Sequence, residues 1–250
     1  MASPPRWLSR YERGQRELVW QELRQLGGVV LEPEQAHEAQ LVCDEMARRA
    51  RQNIEAIVDQ LSTDGYRFHT NDDEQTPVRP HTPPSADADA YVDWLAQRFA
   101  AVPMTLSSWV RIVGDVWLVG THPAWASSAS ADPLVIELEG TRYPAGQSLR
   151  EYIEDEWADR NERQADDPDN GLFVLPAAPD RFHKGNVSGG EPYGFVLPDG
   201  CVDGLFSWET TMPFVSYLNW VFSEGGFPWP SGDDDQWQVR HRLVRDLLPL

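Results

Sequence analysis

Only two cysteines, Cys43 and Cys201, occur in the 250 residues. Two thiols make neither a disulfide framework nor a four-thiolate metal site, and they suit a reducing compartment. Long apolar runs are missing too: none approaches the roughly 20 residues that a helix needs to cross a bilayer. The opening MASPPRWLSRYERGQRE lacks the apolar stretch of a secretion signal. These absences lead to the expectation of a cytoplasmic protein without a membrane partner. Positive charge is also scarce, with 21 Lys and Arg against 40 Asp and Glu, a formal net charge of −19. A field of that sign repels nucleic-acid phosphates and anionic lipid while attracting basic proteins. Direct nucleic-acid binding is therefore not expected.

Motifs that announce chemistry are absent as well. There is no His-Glu-x-x-His, no paired-cysteine pattern and no Gly-x-Ser-x-Gly elbow. The six histidines are scattered, and the acidic runs NDDE (71–74) and GDDD (232–235) lack the ligand spacing of a calcium loop. Helix capping and solubility account for the acids, and neither a metal nor a cofactor is expected. What the chain has in quantity is tryptophan. Eleven indoles offer large apolar surfaces with a polar N–H, which serve cores and protein interfaces alike.

Hydrophobic periodicity supplies the elements. Residues 11–26 read as a helix through Leu18, Val19, Leu23 and Leu26, stopped at Gly27 and Gly28. After Pro33, Ala39, Val42, Met46, Ala50, Ile54, Ile57 and Leu61 trace one stripe through about seven turns. Residues 68–89, rich in Pro, Thr, Asp and Ser, read as a connecting loop. Further helices are expected after Asp87 or Asp89, from Pro103 to Gly114, over 146–163, over 210–224 and over 233–248. Strands are expected at 116–119, 132–138, 172–175 and 193–197. No internal repeat is present. The expected fold class is α+β: a single domain with a mixed or antiparallel sheet flanked by helices, plus an N-terminal helical extension. Its division is 1–67 for the extension, 68–89 for the loop and 90–250 for the α+β domain, with the parts expected to pack as one unit.

One stretch, HKGNVSGGEPYGFVLPD (183–199), invites comparison with a phosphate-cradling loop. Its order is wrong for one, because Lys184 precedes the glycines and a strand follows instead of a helix. Gly189 and Gly190 are expected to supply positive φ for a tight connection, with Lys184 and His183 exposed. The alternative is a hydrolytic or nucleotide-handling enzyme, its site built from Lys184, the 188–190 turn, His122 and Asp132.

The fragments YERGQRELVWQEL, EMARRARQNIEAIVDQLSTDGYRF, VPMTLSSWVRIVGDVWLVGTHPAW, DPLVIEL, FHKGNVSGGEPYGFVLPD and FVSYLNWVFSEGGFPW together resemble a bacterial branch of the SUKH superfamily, whose founding members include a fungal regulator of cell-wall synthesis. That resemblance implies an α+β domain with a groove for protein partners. It also implies a non-catalytic role, often that of an immunity protein that neutralises a toxin, many such toxins being nucleases. The partner expected is another protein, a basic toxin in the first place. Exposed aromatics and acids near strand ends are the expected contact residues: Trp117, Trp125, Asp132, Glu191, Tyr193 and Trp229.

Overall fold

Gly14 divides what reads as one N-terminal helix. It takes φ +93°, a left-handed conformation open to glycine at little cost, so the chain forms α1 (Trp7–Glu12), turns, and continues as α2 (Arg16–Leu26). The two are tied by Arg10, whose guanidinium donates to both carboxylate oxygens of Glu22 at 2.7 Å. The computed structural model describes residues 6–28, 32–140, 148–166, 172–187, 189–231 and 235–250.

The apolar stripe after Pro33 becomes α3 (Pro33–Thr63), with proline in its first turn, where a missing N–H costs nothing. All seven stripe residues, with Cys43 and Ala47 beside them, are fully buried. This helix packs on α1, on α5 (Met104–Ser108) and the π-helical turn Trp109–Val113 that continues it, and on α9 (Gln236–Leu243). The N-terminal helices therefore share one hydrophobic core with the rest of the chain.

The 68–89 connection is stitched to the sheet system. β1 (Arg67–Phe68) pairs antiparallel with β4 (Gly120–Thr121), and β2 (His81–Thr82) pairs with β3 (Asp115–Trp117). β3 pairs in turn with β5 (Val135–Ile136). After α4 (Ala88–Phe99) the helix begun at Pro103 ends at Gly114, as its sequence predicts. A Cβ at Gly114 would stand 2.8 Å from Pro83 backbone, so close approach of the 82–84 segment as well as φ +84° demands glycine.

The second sheet is an antiparallel meander in order β6 (Phe173–Ala178), β7 (Tyr193–Leu197), β8 (Leu205–Ser207), β9 (Thr211–Pro213). A backbone bond from Glu137 N–H to the Ala177 carbonyl, 2.7 Å, links it to the first. α6 (Leu149–Asp166) lies on β6, and α8 (Phe214–Ser223) packs on β8 and β9. The outcome is an α+β fold with antiparallel sheets flanked by helices. The strand expected over 132–138 is shorter, because a 3₁₀ turn, Ser128–Ala131, runs into Asp132 in a left-handed conformation (φ 56°, ψ 55°) before the ladder begins. Residues 146–147 and 233–234 of two expected helices, and Gly232 at the head of the GDDD run, lie outside the described residues.

Candidate functional site

Four of the six expected contact residues are not on the surface. Trp117 is buried and donates its indole N–H to the His69 carbonyl at 2.8 Å. Trp125 is buried against Phe227, ring centres 5.1 Å apart, and its N–H goes to the Ser231 hydroxyl. Asp132 is fully buried, and Tyr193 is buried with its hydroxyl accepting the Arg181 backbone N–H at 3.0 Å. The expectation of exposure fails for a common reason: each polar tip finds an internal partner, so the apolar body can leave water without cost to the tip. Glu191 is exposed and Trp229 half-buried.

Lys184 corrects the second expectation. It is sealed inside, with its ammonium 2.8 Å from Asp132 Oδ1 and both side chains fully shielded. The other oxygen of Asp132 accepts the Trp208 indole N–H at 3.0 Å, and the ammonium lies 4.9 Å from the centre of the Tyr193 ring. Burial pushes the Lys184 pKa down, and the Asp132 charge opposes that shift. The local cause is α7 (Arg181–Lys184), a single turn capped by Asp180, whose Oδ1 accepts the His183 N–H at 2.9 Å. That turn points Lys184 inward toward the left-handed corner at Asp132.

The constellation of an enzyme therefore comes together only in part. Lys184 and Asp132 meet, but shut away from solvent. His122 sits elsewhere, at the C-terminal end of α3, with Nε2 3.8 Å from Asp64 Oδ2 and Nδ1 accepting the Ala124 N–H at 3.0 Å. Burial lowers its pKa, against the pull of Asp64. Ser188 lies outside the described residues. Among those described, no group of three or more His, Cys, Asp or Glu is placed to hold a metal ion. Burial, with Asp199 beside it, pushes the Cys201 thiol up to about 11, far from a reactive thiolate.

The glycines of HKGNVSGG have a different reason from the one their sequence suggests. Neither Gly189 nor Gly190 has positive φ; that conformation falls to Asn186, at φ 58°. Gly189 instead lies flat against the Asp180 carboxylate, in space that a Cβ would have to share. The 68–89 connection supports the same loop. Asn71 donates to the His183 carbonyl at 3.0 Å, and the Asn186 amide bonds Asp73.

With Lys184 inside, the outer side of this loop carries apolar groups. Phe182 and Val187 are 46% and 58% exposed and adjoin through the Val187 N–H to Phe182 carbonyl bond, 2.8 Å. Three recesses border residues 176–192. The largest, about 350 Å³, opens between α6 and β6 and is lined by Leu149, Tyr152, Pro176, Pro179 and Pro192. A second of about 200 Å³ lies by Trp208, and a third of about 150 Å³ touches Asn71 and Val187. Sequence reasoning missed Phe182 and Val187. The signal available was two large apolar residues in a polar, glycine-rich loop that no helix or strand period accounts for. No helix among the described residues is long and apolar enough to cross a membrane. Comparison with protein families, curated proteins and solved structures found no match to this chain.

Proposed function

We propose that this chain is a non-catalytic protein-binding module that acts in the cytoplasm by covering a basic partner, and that the partner is a toxin, the role implied by the SUKH resemblance. The observation that carries the reading is the face at residues 176–192. Phe182 and Val187 stand out of a loop braced by the Lys184–Asp132 pair, each lining a recess, with the exposed acids Glu191 and Glu209 bordering that of Phe182. An apolar centre with a charged rim is the usual anatomy of a contact surface. The net charge of −19 favours fast encounter with a basic protein and competes with its anionic substrate. Occlusion needs no general base and no nucleophile, which accords with the sealing of Lys184 and Asp132.

The test compares wild type with Phe182→Asp/Val187→Asp, whose side chains are exposed, so that unchanged thermal unfolding certifies the fold. A protein captured from native lysate by the wild type is identified, purified and recombined with it. The reading expects a basic partner, a stoichiometric complex weakened by salt, loss of the partner's activity, and failure of the variant to bind. A complex indifferent to both substitutions, or no complex with purified components, would overturn it.

A further inference from the structure

Trp208 is fixed from two sides. Its N–H is held by Asp132 at 3.0 Å, and its ring packs on Trp220 with centres 4.6 Å apart. With Tyr193 it walls the recess of about 200 Å³, whose border carries three carboxylates, Asp180, Glu191 and Glu209, and one cation, Arg181. Cations of this chain already use the surrounding aromatic surface. Lys184 sits over the Tyr193 ring. The Arg181 guanidinium lies 3.9 Å over the Trp229 ring and 4.5 Å over Phe182, with Nε 3.3 Å from Glu209. Arg181 offsets one of the three carboxylates and leaves the recess acidic.

Asp180 adds to the negative charge from behind. Its side chain is 6% exposed, and Oδ2 accepts no hydrogen bond. His183 Nδ1 comes within 3.0 Å of that oxygen, a contact of ion-pair length without hydrogen-bond alignment. That oxygen is shielded from solvent, with Gly189 and His183 close to it, so Asp180 contributes charge behind the recess and offers it no open acceptor. Aromatic walls and several acceptors suit guanidinium better than ammonium, because guanidinium is planar, weakly hydrated and able to stack while donating in several directions.

We propose that this recess receives an arginine side chain of the protein partner, stacked on Trp208 and donating to the exposed carboxylates of Glu191 and Glu209. The inference rests on the protein-binding reading for its biological ligand, but the recess can be probed without a partner. The Trp208 indole N–H resonance, assigned through Trp208→Phe, is followed while N-acetyl-arginine methylamide is added, and again with the uncharged citrulline analogue. Arginine should give a saturable shift and citrulline none. The exposed pair Glu191→Gln/Glu209→Gln should weaken the arginine response about tenfold, the scale of losing two exposed ion pairs. No shift at Trp208, an equal shift with citrulline, or a response unchanged in the double variant would overturn the assignment. If arginine binds as described while no protein partner can be reconstituted, the protein-binding reading fails and the recess stands. If a partner binds the double variant as tightly as wild type, the recess is not its contact.

Discussion

Replacing Lys184 by Met keeps the length of the side chain and removes its charge from a place that water does not reach. Asp132 would then be a buried carboxylate with the Trp208 N–H as its remaining side-chain hydrogen-bond partner. Removing one partner of a buried ion pair costs about 3–5 kcal/mol, because the other charge is left uncompensated. In a chain of this size about 1 kcal/mol corresponds to roughly 2–4 °C in Tm, so Lys184→Met should melt about 6–20 °C lower. The second half of the cycle replaces Asp132 by Asn, which tolerates the left-handed backbone found there and carries no charge. The double variant Lys184→Met/Asp132→Asn should recover about 2 kcal/mol or more of the loss, since exchanging both members of a buried pair for neutral groups is close to neutral. Guanidinium unfolding at constant m-value, with thermal circular dichroism alongside, measures both steps. A single variant within about 0.5 kcal/mol of wild type, or a double variant no better than the single, would refute the account of Lys184 as an internal brace.

Three other outcomes follow from the same geometry. Gly189→Val should destabilise by about 1–3 kcal/mol, because its Cβ must displace the Asp180 carboxylate, whereas Gly190→Ala, with the nearest oxygen 3.8 Å away, should stay within about 0.5 kcal/mol; urea unfolding of the two separates close approach from general loop rigidity. His122 resists protonation when folded, chiefly through burial, so below about pH 6.5 the unfolded chain takes the proton first and stability falls as pH drops toward the lower folded pKa. The contribution is complete above pH 6.5, and the added slope, at most about 1.4 kcal/mol per pH unit, should be missing from unfolding curves of His122→Asn between pH 7.5 and 5.5; equal slopes would contradict it. Cys201, with its pKa near 11, should alkylate at pH 8 on the order of a hundredfold more slowly than free cysteine, and buried Cys43 should react only on unfolding, as mass spectrometry of native and denatured samples can show.

Much of the fold was legible because it is periodic. The Ala39 to Leu61 stripe is helical whatever it packs against, and Gly114, Gly225 and Gly226 end helices where positive φ is needed. The site was less legible. Trp117 and Trp125 could be read as contact residues or as core with equal right, since an indole serves both, and the choice rested on whether His69 and Ser231 would come near. The N-terminal break at Gly14 was missed because Arg13, Gly14 and Gln15 interrupt the apolar period too briefly to register in a window of several turns.

By itself the sequence determined most of the helices, the α+β class and the acidity, all properties of neighbouring residues or of the sum over the chain. It did not determine the single turn α7, or the strand Thr211–Pro213 that takes the place of the start of the helix expected over 210–224. Tertiary structure alone decided that Lys184 points inward to Asp132, 52 positions away, that Gly189 exists to admit Asp180, and that Phe182 and Val187 are left facing out. The physical reason is that propensity and periodicity act within a few residues. A buried charge is tolerated only where packing of distant segments delivers its partner, and that encounter leaves no mark on either segment alone.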